Sequence, residues 1–351
     1  MALQAEQIDD LLNSTRSHLD RLSWIDMTTD LQDYPGMYQI LDEKKVSFDS
    51  GPMIEHTVML DHSKQAKHTG LYGVDDTHVG NVLGRAQLPW RHSKTSYAID
   101  RREIAMNRNP SKIVDLLTIR RADAMIALTE LIEQTLWAPA VNDEDTPFGF
   151  QYHIVWNANT GFTGGNNSQF PNGPSNINRS TNHRAKNWAS GFSTFSREDV
   201  LWKMGQAMRE CRFKPPTPDL QLLNWGSRPR YEIMVNGSCI QRFENMVEDR
   251  NDNARGDLAR WAGRAMFRRA PFTWVPYLDR YSTSNPIVGI DWSKIRPVFL
   301  EGEYLNESPI KNAAPLQHTV HKGWVDLTWN LDALGWRNLW ICAMADWANG
   351  I

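Results

Sequence analysis

One uninterrupted helical pattern, residues 111–137, constrains this chain more than any other feature. Asn109 is of a type that caps helices, Pro110 suits a first helical position where no N–H partner is needed, and Pro139 stops the run. At ~1.5 Å per residue the segment is a rod of about 40 Å. Ile113, Leu116, Leu117, Ala124, Ala127, Leu128 and Leu131 share one face, while Ile119 and Ile126 sit behind it. That distribution predicts a rod covered on more than one side. Arg120 interrupts the apolar face, and a snorkelling or locally paired arginine is the expected outcome.

What precedes the rod is extended. Between residues 51 and 104, two runs (53–60 and 88–104) flank a polar middle containing Gly70, Gly73, Gly80 and Gly84, which reads as a long hairpin. Its first arm turns Ile54, His56, Val58 and Leu60 to one side; its second places Arg91, Ser93, Thr95, Tyr97 and Ile99 on one face. Neither face is apolar enough for a buried core strand. A two-stranded hairpin is marginal in water, so one this long implies a surface outside itself to lie on. Before it, Leu3, Ile8, Leu11, Leu12, Leu19 and Leu22 recur at helical spacing among polar neighbours, and residues 24–35 are irregular, giving an arm rather than a domain.

Beyond the rod, residues 142–193 are rich in Gly and Asn and read as loops around a short strand at 152–156. Ser196 caps a helix whose third position is Asp199, with Val200, Leu201, Met204, Ala207, Met208 and Cys211 on its apolar side and Pro215 and Pro216 ending it. A strand at 231–235, a helix at 238–247 and strands at 265–275 follow. A last sheet-like region covers 286–300 and 318–343. No repeat or low-complexity linker divides the chain.

The 351 residues are 41% hydrophobic and 23% charged, with 38 Lys and Arg against 41 Asp and Glu, a net charge of -3. Disorder, collagen and a coiled-coil rod are excluded by that balance. No apolar stretch approaches the ~20 residues of a membrane-spanning helix. The first twelve residues carry acids where a signal peptide carries bases, so nothing there marks the chain for secretion. Cys211, Cys239 and Cys342 stand singly, which argues against a disulfide framework or a structural zinc. Near-neutral charge argues against a protein whose main task is to grip nucleic acid. The excess is in tryptophan, 15 against 9 Tyr and 12 Phe, and it asks for a large contact area or a stacking ligand.

Catalytic signatures are missing: there is no phosphate loop, dinucleotide fingerprint, HExxH or nucleophile elbow. Asp249, Asn251 and Asn253 alternate like a calcium loop, but Ala254 and Arg260 stand where that loop needs Gly and Glu. His318 and His321, with Asp326, fall in an expected strand where residues three apart face opposite ways, so a metal site is not expected. The tripeptide Arg255, Gly256, Asp257 is taken as chance, and no cofactor is implied. Two modest basic patches, Lys64, Lys67 and His68 near the hairpin tip and Arg264, Arg268 and Arg269 further on, are either solvated faces or partners of a neighbouring subunit or a phosphate.

The order of elements resembles that of tailed-phage major capsid proteins, the Hong Kong 97-type shell fold. FTWVPYLDRY at 272–281, NPIVGIDWSKIRPVFLEGEYL at 285–305 and HTVHKGWVDLTWNL at 318–331 also look like that family's sequences. The resemblance implies an α+β fold with an N-terminal arm (1–50, including the start of the peripheral domain) and an extended loop (51–104). A peripheral domain with a spine helix (105–139) and an axial domain (140–285) follow. Residues 286–331 would return to the peripheral sheet and 332–351 would rejoin the axial domain. It further implies hexamers and pentamers assembling into an icosahedral shell, a virion location after assembly in the bacterial host cytoplasm, and no catalytic activity. A separate scaffolding protein, a portal, decoration proteins and weakly held packaged double-stranded DNA are the implied partners, with no membrane. Lys64, Lys67, His68, Arg85, Trp90 and Arg91 are the candidate inter-subunit contacts. An encapsulin-like compartment shares the implied fold. A glycan-binding or hydrolytic module is the alternative from another class, but no carboxylate pair accompanies Trp156 or Trp188. In a shell subunit, most of Trp274, Trp292, Trp324, Trp329, Trp336 and Trp340 are expected in cores and subunit seams.

Overall fold

The computed structural model describes residues 34–41, 46–60, 67–71, 83–106, 110–211, 230–248, 258–261, 264–268, 270–313 and 317–349. The expected N-terminal amphipathic segment, the proline stop at 215 and 216, and the stretch from Asp249 to Asp257 lie outside those residues, as does Lys64.

Along the chain, helix α1 (Pro35–Ile40) precedes β1 (Ser47–Asp49), the ribbon strands β2 (Met53–Met59) and β3 (Leu83–Pro89), and β4 (Arg91–Asp100). Two helices follow, α2 (Arg101–Met106) and the long α3 (Pro110–Trp137), then a single turn, α4 (Phe150–His153). Next come β5 (Trp188–Gly191), α5 (Trp202–Glu210), β6 (Tyr231–Val235) and α6 (Gly237–Glu248). The strands β7 (Leu258–Trp261), β8 (Arg264–Phe267), β9 (Ala270–Trp274), β10 (Ile287–Asp291) and β11 (Ile295–Leu300) follow in turn. The chain closes with β12 (Asn306–Glu307), β13 (Lys311–Ala313), β14 (Gln317–Ala333) and β15 (Trp340–Ala343).

Two sheets organise these elements. In the six-stranded sheet the 17-residue β14 is the hub, paired antiparallel with β4, β11, β12 and β13, while β1 joins β11 in parallel. The seven-stranded sheet runs β5-β15-β10-β6-β9-β8-β7. The long helix packs on the six-stranded sheet, and Leu117, Ala124, Leu128, Ile132 and Leu136 are buried in one core with Tyr97, Leu327, Trp329 and Leu331. A second core, around Trp188, Met204, Val235, Phe243, Phe267 and Trp340, holds α5 and α6 to the other sheet. Ser196 caps the α5 segment as its sequence predicts, its hydroxyl accepting from the Asp199 amide at 3.2 Å. The segment opens with a five-residue π turn, Arg197–Leu201.

Four expectations need correction. The run at 88–104 is not one hairpin arm: β3 ends at Pro89, and β4 leaves the ribbon to pair with β14 from Trp329↔Arg91 to Val320↔Asp100. Its face is a core face despite its polarity, because its polar side chains find partners. Ser93 Oγ accepts from Trp329 Nε1 at 3.2 Å, and the Tyr97 hydroxyl donates to Glu307. The segment expected as a strand at 152–156 begins as the turn α4. A Cβ on Gly149 would lie 2.4 Å from the Thr135 carbonyl, so only glycine brings the chain this close to α3. Gln151 then donates to the Trp137 carbonyl at 3.0 Å.

The sheet-like run expected at 286–300 also divides between the two sheets. Strand β10, buried along its whole length, lies between β6 and β15 in the seven-stranded sheet, and only β11 changes sheet. Finally, the buried stripe of α3 is rotated from the expected one. Ile132 is inside, whereas Ala127 and Leu131 are exposed. Arg120 is locally paired, as expected, donating to Glu103 at 2.9 Å and to the Ala98 carbonyl.

Candidate assembly surfaces

The ribbon formed by β2 and β3 has two unlike faces because cross-strand partners share a side. Ile54, Ala86 and Leu88 point to the body and are fully buried. Ile54 and Leu88 join Phe148, Tyr152 and Val298, and the Phe148 and Tyr152 rings stack at 4.1 Å with 12° between their planes. On the other face Glu55 binds both Arg85 and Gln87, the latter at 2.8 Å. Beyond that cluster Met59 and Leu83 face each other across the ribbon, 64% and 59% exposed. The ribbon is therefore apolar at both ends, with its root sealed into the body of the chain and its far end exposed.

The root is held by polar contacts as well. Asn330 of β14 accepts from the Phe148 amide at 3.0 Å and donates to the Pro89 carbonyl at 2.8 Å. Asp332, two residues on and fully buried, faces His56 Nδ1 at 3.1 Å and Arg296 at 3.0 Å. Burial alone would raise its carboxyl, but the hydrogen bond with His56 and the Arg296 guanidinium hold it below the usual range. Behind this group, Arg179 is completely buried without a carboxylate. Its guanidinium donates to the carbonyls of His153 (2.6 Å) and Gly165 (3.0 Å) and to Asn187 Oδ1 (3.1 Å). Desolvation lowers its pKa to about 9, so it remains a cation at neutral pH. The Gly- and Asn-rich region thus folds around one buried charge.

The six candidate contact residues do not converge. Lys67 and His68 lie on the exposed segment 67–71. Arg85 is on the outer ribbon face beside Glu55. Trp90 and Arg91 sit at the root: Trp90 Nε1 donates to the Gly51 carbonyl at 2.8 Å, and Arg91 donates to the carbonyls of Asp143 (2.7 Å) and Glu144 (2.6 Å). The sequence reading missed Met59 and Leu83, because only the pairing register shows that they meet on the uncovered side. It missed Asp332 for the same reason, since no spacing links it to His56. Of the second basic patch, Arg268 donates to the Gly205 carbonyl at 3.1 Å.

Further apolar side chains reach solvent elsewhere: Ile119 and Leu131 on α3, Trp202 at the start of α5, and Trp274 at the end of β9. A cavity of about 150 Å³ lies between Tyr34, Glu130, Gln134, Tyr277 and Arg280. Another acid on its wall, Glu133, is occupied by the Gly36 and Met37 amides (3.3 and 2.6 Å) and Trp137 Nε1 (2.7 Å), so it caps α1. Among the described residues no group of three His, Cys, Asp or Glu could hold a metal, and no helix is long and apolar enough to cross a membrane. His318 is exposed and His321 buried, on opposite faces of β14.

Comparison with solved structures places this architecture. The capsid asymmetric unit of cyanophage A-1(L) matches with a TM-score of 0.60 over 92% of this chain and 95% of that one, at 14% identity. The capsids of the empty and native GTA particles match with TM-scores of 0.51 and 0.50, at 11% and 10% identity. The empty-particle match covers 96% of this chain and 99% of that one; the native-particle match covers 92% and 94%. No family model and no curated protein matches the chain. The chain has the mixed helix-and-sheet fold of these phage and GTA capsids, the Hong Kong 97-type fold that the sequence resemblance implies.

Proposed function

We propose that this chain is a major capsid protein, the structural subunit of the icosahedral shell that encloses the double-stranded DNA genome of a tailed phage. One observation carries the reading: a ribbon sealed into its own subunit at the root leaves Met59 and Leu83 uncovered at its far end, on a fold shared with capsids. Exposed apolar groups on a projecting ribbon are stabilised by lying on a neighbour, and contacts repeated by closed symmetry make a shell. In this reading residues 51–89 are the extended loop, α3 is the spine, and the six- and seven-stranded sheets are the peripheral and axial domains. Lys64, Lys67, His68 and Arg85 meet the adjacent subunit, while Trp90 and Arg91 set the angle at which the ribbon leaves. Hexamers and pentamers, a separate scaffolding protein, a portal, decoration proteins and weak contact with packaged DNA complete the assembly, which forms in the host cytoplasm and becomes the virion wall.

Electron microscopy and native mass measurement of the purified protein, alone and with scaffolding protein, test this directly. Closed particles of uniform size are expected. A monomer or small oligomer under every salt and scaffold condition refutes the shell, and particles that enclose protein cargo while excluding DNA refute the phage assignment.

A further inference from the structure

The cavity of about 150 Å³ beside α3 is walled by both halves of the fold. Glu130 and Gln134 come from α3, and Tyr34 from the residue before α1, which packs on α3. Tyr277 and Arg280 come from the turn Pro276–Tyr281, which follows β9 of the seven-stranded sheet. Two opposite charges meet here without being spent on each other. Glu130 accepts one hydrogen bond, from Gln134 Nε2 at 3.0 Å, and makes no ion pair among the described residues. Arg280 makes none among them either; its guanidinium lies over the Tyr277 ring, 4.6 Å from the centroid. Stacking uses the face of a guanidinium and leaves its in-plane N–H groups for a carboxylate, which they grip two at a time. Both groups are exposed at the mouth, so a solute can reach them.

The occupant that satisfies this pair carries both charges itself. A simple anion on Arg280 would face Glu130, and a simple cation on Glu130 would face Arg280, whereas a zwitterion places each charge against its opposite. Glu133 is already filled by its three donors, so Glu130 is the acceptor that remains. Burial first, then the charges of Glu130 and Glu133, push the Tyr34 hydroxyl above its ordinary value, which keeps it a donor. The space equals that of roughly five waters and is well below the ~300 Å³ of a drug-sized pocket, so it suits a small solute. Tyr34, Tyr277 and Pro276 add apolar wall. We propose that this cavity binds a free aliphatic α-amino acid, with its carboxylate on Arg280, its ammonium on Glu130 and its side chain against the two tyrosines and Pro276. The site does not depend on the shell reading.

Saturation-transfer NMR of L-leucine with the full-length protein tests the site. L-Leucinamide, which lacks the carboxylate, and N-acetyl-L-leucine, which lacks the ammonium charge, are the paired probes. Leucine should saturate with a Kd of about 1 mM, and each analogue should bind about fivefold or more weakly. Arg280→Gln should weaken leucine about fivefold while leaving leucinamide nearly unchanged, and Glu130→Gln should do the same with N-acetyl-leucine as the unaffected probe. Both side chains are exposed, and thermal unfolding without ligand checks that the variants fold as the wild type does. No saturation by leucine, valine or proline up to about 20 mM overturns the proposal. So does binding that neither substitution weakens, since the amino acid would then lie elsewhere, and so does leucinamide binding as tightly as leucine, which would mark a cation site.

Discussion

His153 shows what a buried residue contributes when its polar atoms are accounted for. Trp336 Nε1 can only donate, and it donates to His153 Nδ1 at 3.4 Å, so the ring proton sits on Nε2, which donates to the Leu331 carbonyl at 2.9 Å. The ring is neutral, and burial lowers its pKa to about 4. The unfolded chain takes up this proton below about pH 6.5, while the folded chain resists until about 4. Stability is therefore full above 6.5 and falls by about 3 kcal/mol as the pH drops to 4. Urea titrations at several pH values should show that slope in the wild type and a shallower one in His153→Gln; equal slopes would refute the assignment. The tryptophans make the same point about residue identity. Trp292, Trp329, Trp336 and Trp340 are buried as expected of core anchors, while Trp274 is 44% exposed with its Nε1 bonded to Asp279.

Among the elements, the ribbon depends on its root. Leu88 is fully buried among Ile54, Phe148, Tyr152 and Val298, and truncating a leucine in such a site typically costs about 2–4 kcal/mol. For Leu88→Ala, amide exchange should speed up in β2 and β3, with little change in the seven-stranded sheet, none of whose residues belongs to the buried cluster around Leu88. Uniform acceleration across the protein would mean that the ribbon is not an independent unit. The alternation of Ile54, His56, Val58 and Leu60 to one side was readable in the sequence, but that this side is the one turned to the body, with Ile54 fully buried, was not. The end of the ribbon at Pro89 was not readable, because β4 continues the same extended pattern and differs only in its partner. Local periodicity records which side of a strand is wet; it carries no record of which strand lies beside it.

At the scale of the whole molecule, the two sheets and the long helix form a body that does not need the far end of the ribbon. Replacing residues 61–82 with an Asn-Gly turn, which suits a two-residue hairpin, should leave thermal unfolding of the subunit within a few degrees of wild type. Closed particles should be lost, as judged by electron microscopy. Normal particles from this variant would refute the role given to the ribbon.

Sequence alone determined the rod from Pro110 to Trp137, the capped helix after Ser196, the strand Tyr231–Val235 and the order of elements that resembles a capsid subunit. Each rests on local signals, namely periodicity, caps and proline stops, which act within a few turns of chain. Tertiary structure decided that β10 and β11, three residues apart, belong to different sheets. It also decided that a polar strand such as β4 is core, and that Asp332 closes the ribbon root with His56. Those outcomes depend on partners about 30 to 280 residues distant, where pairing and burial are won by the summed fit of the whole chain rather than by any local preference.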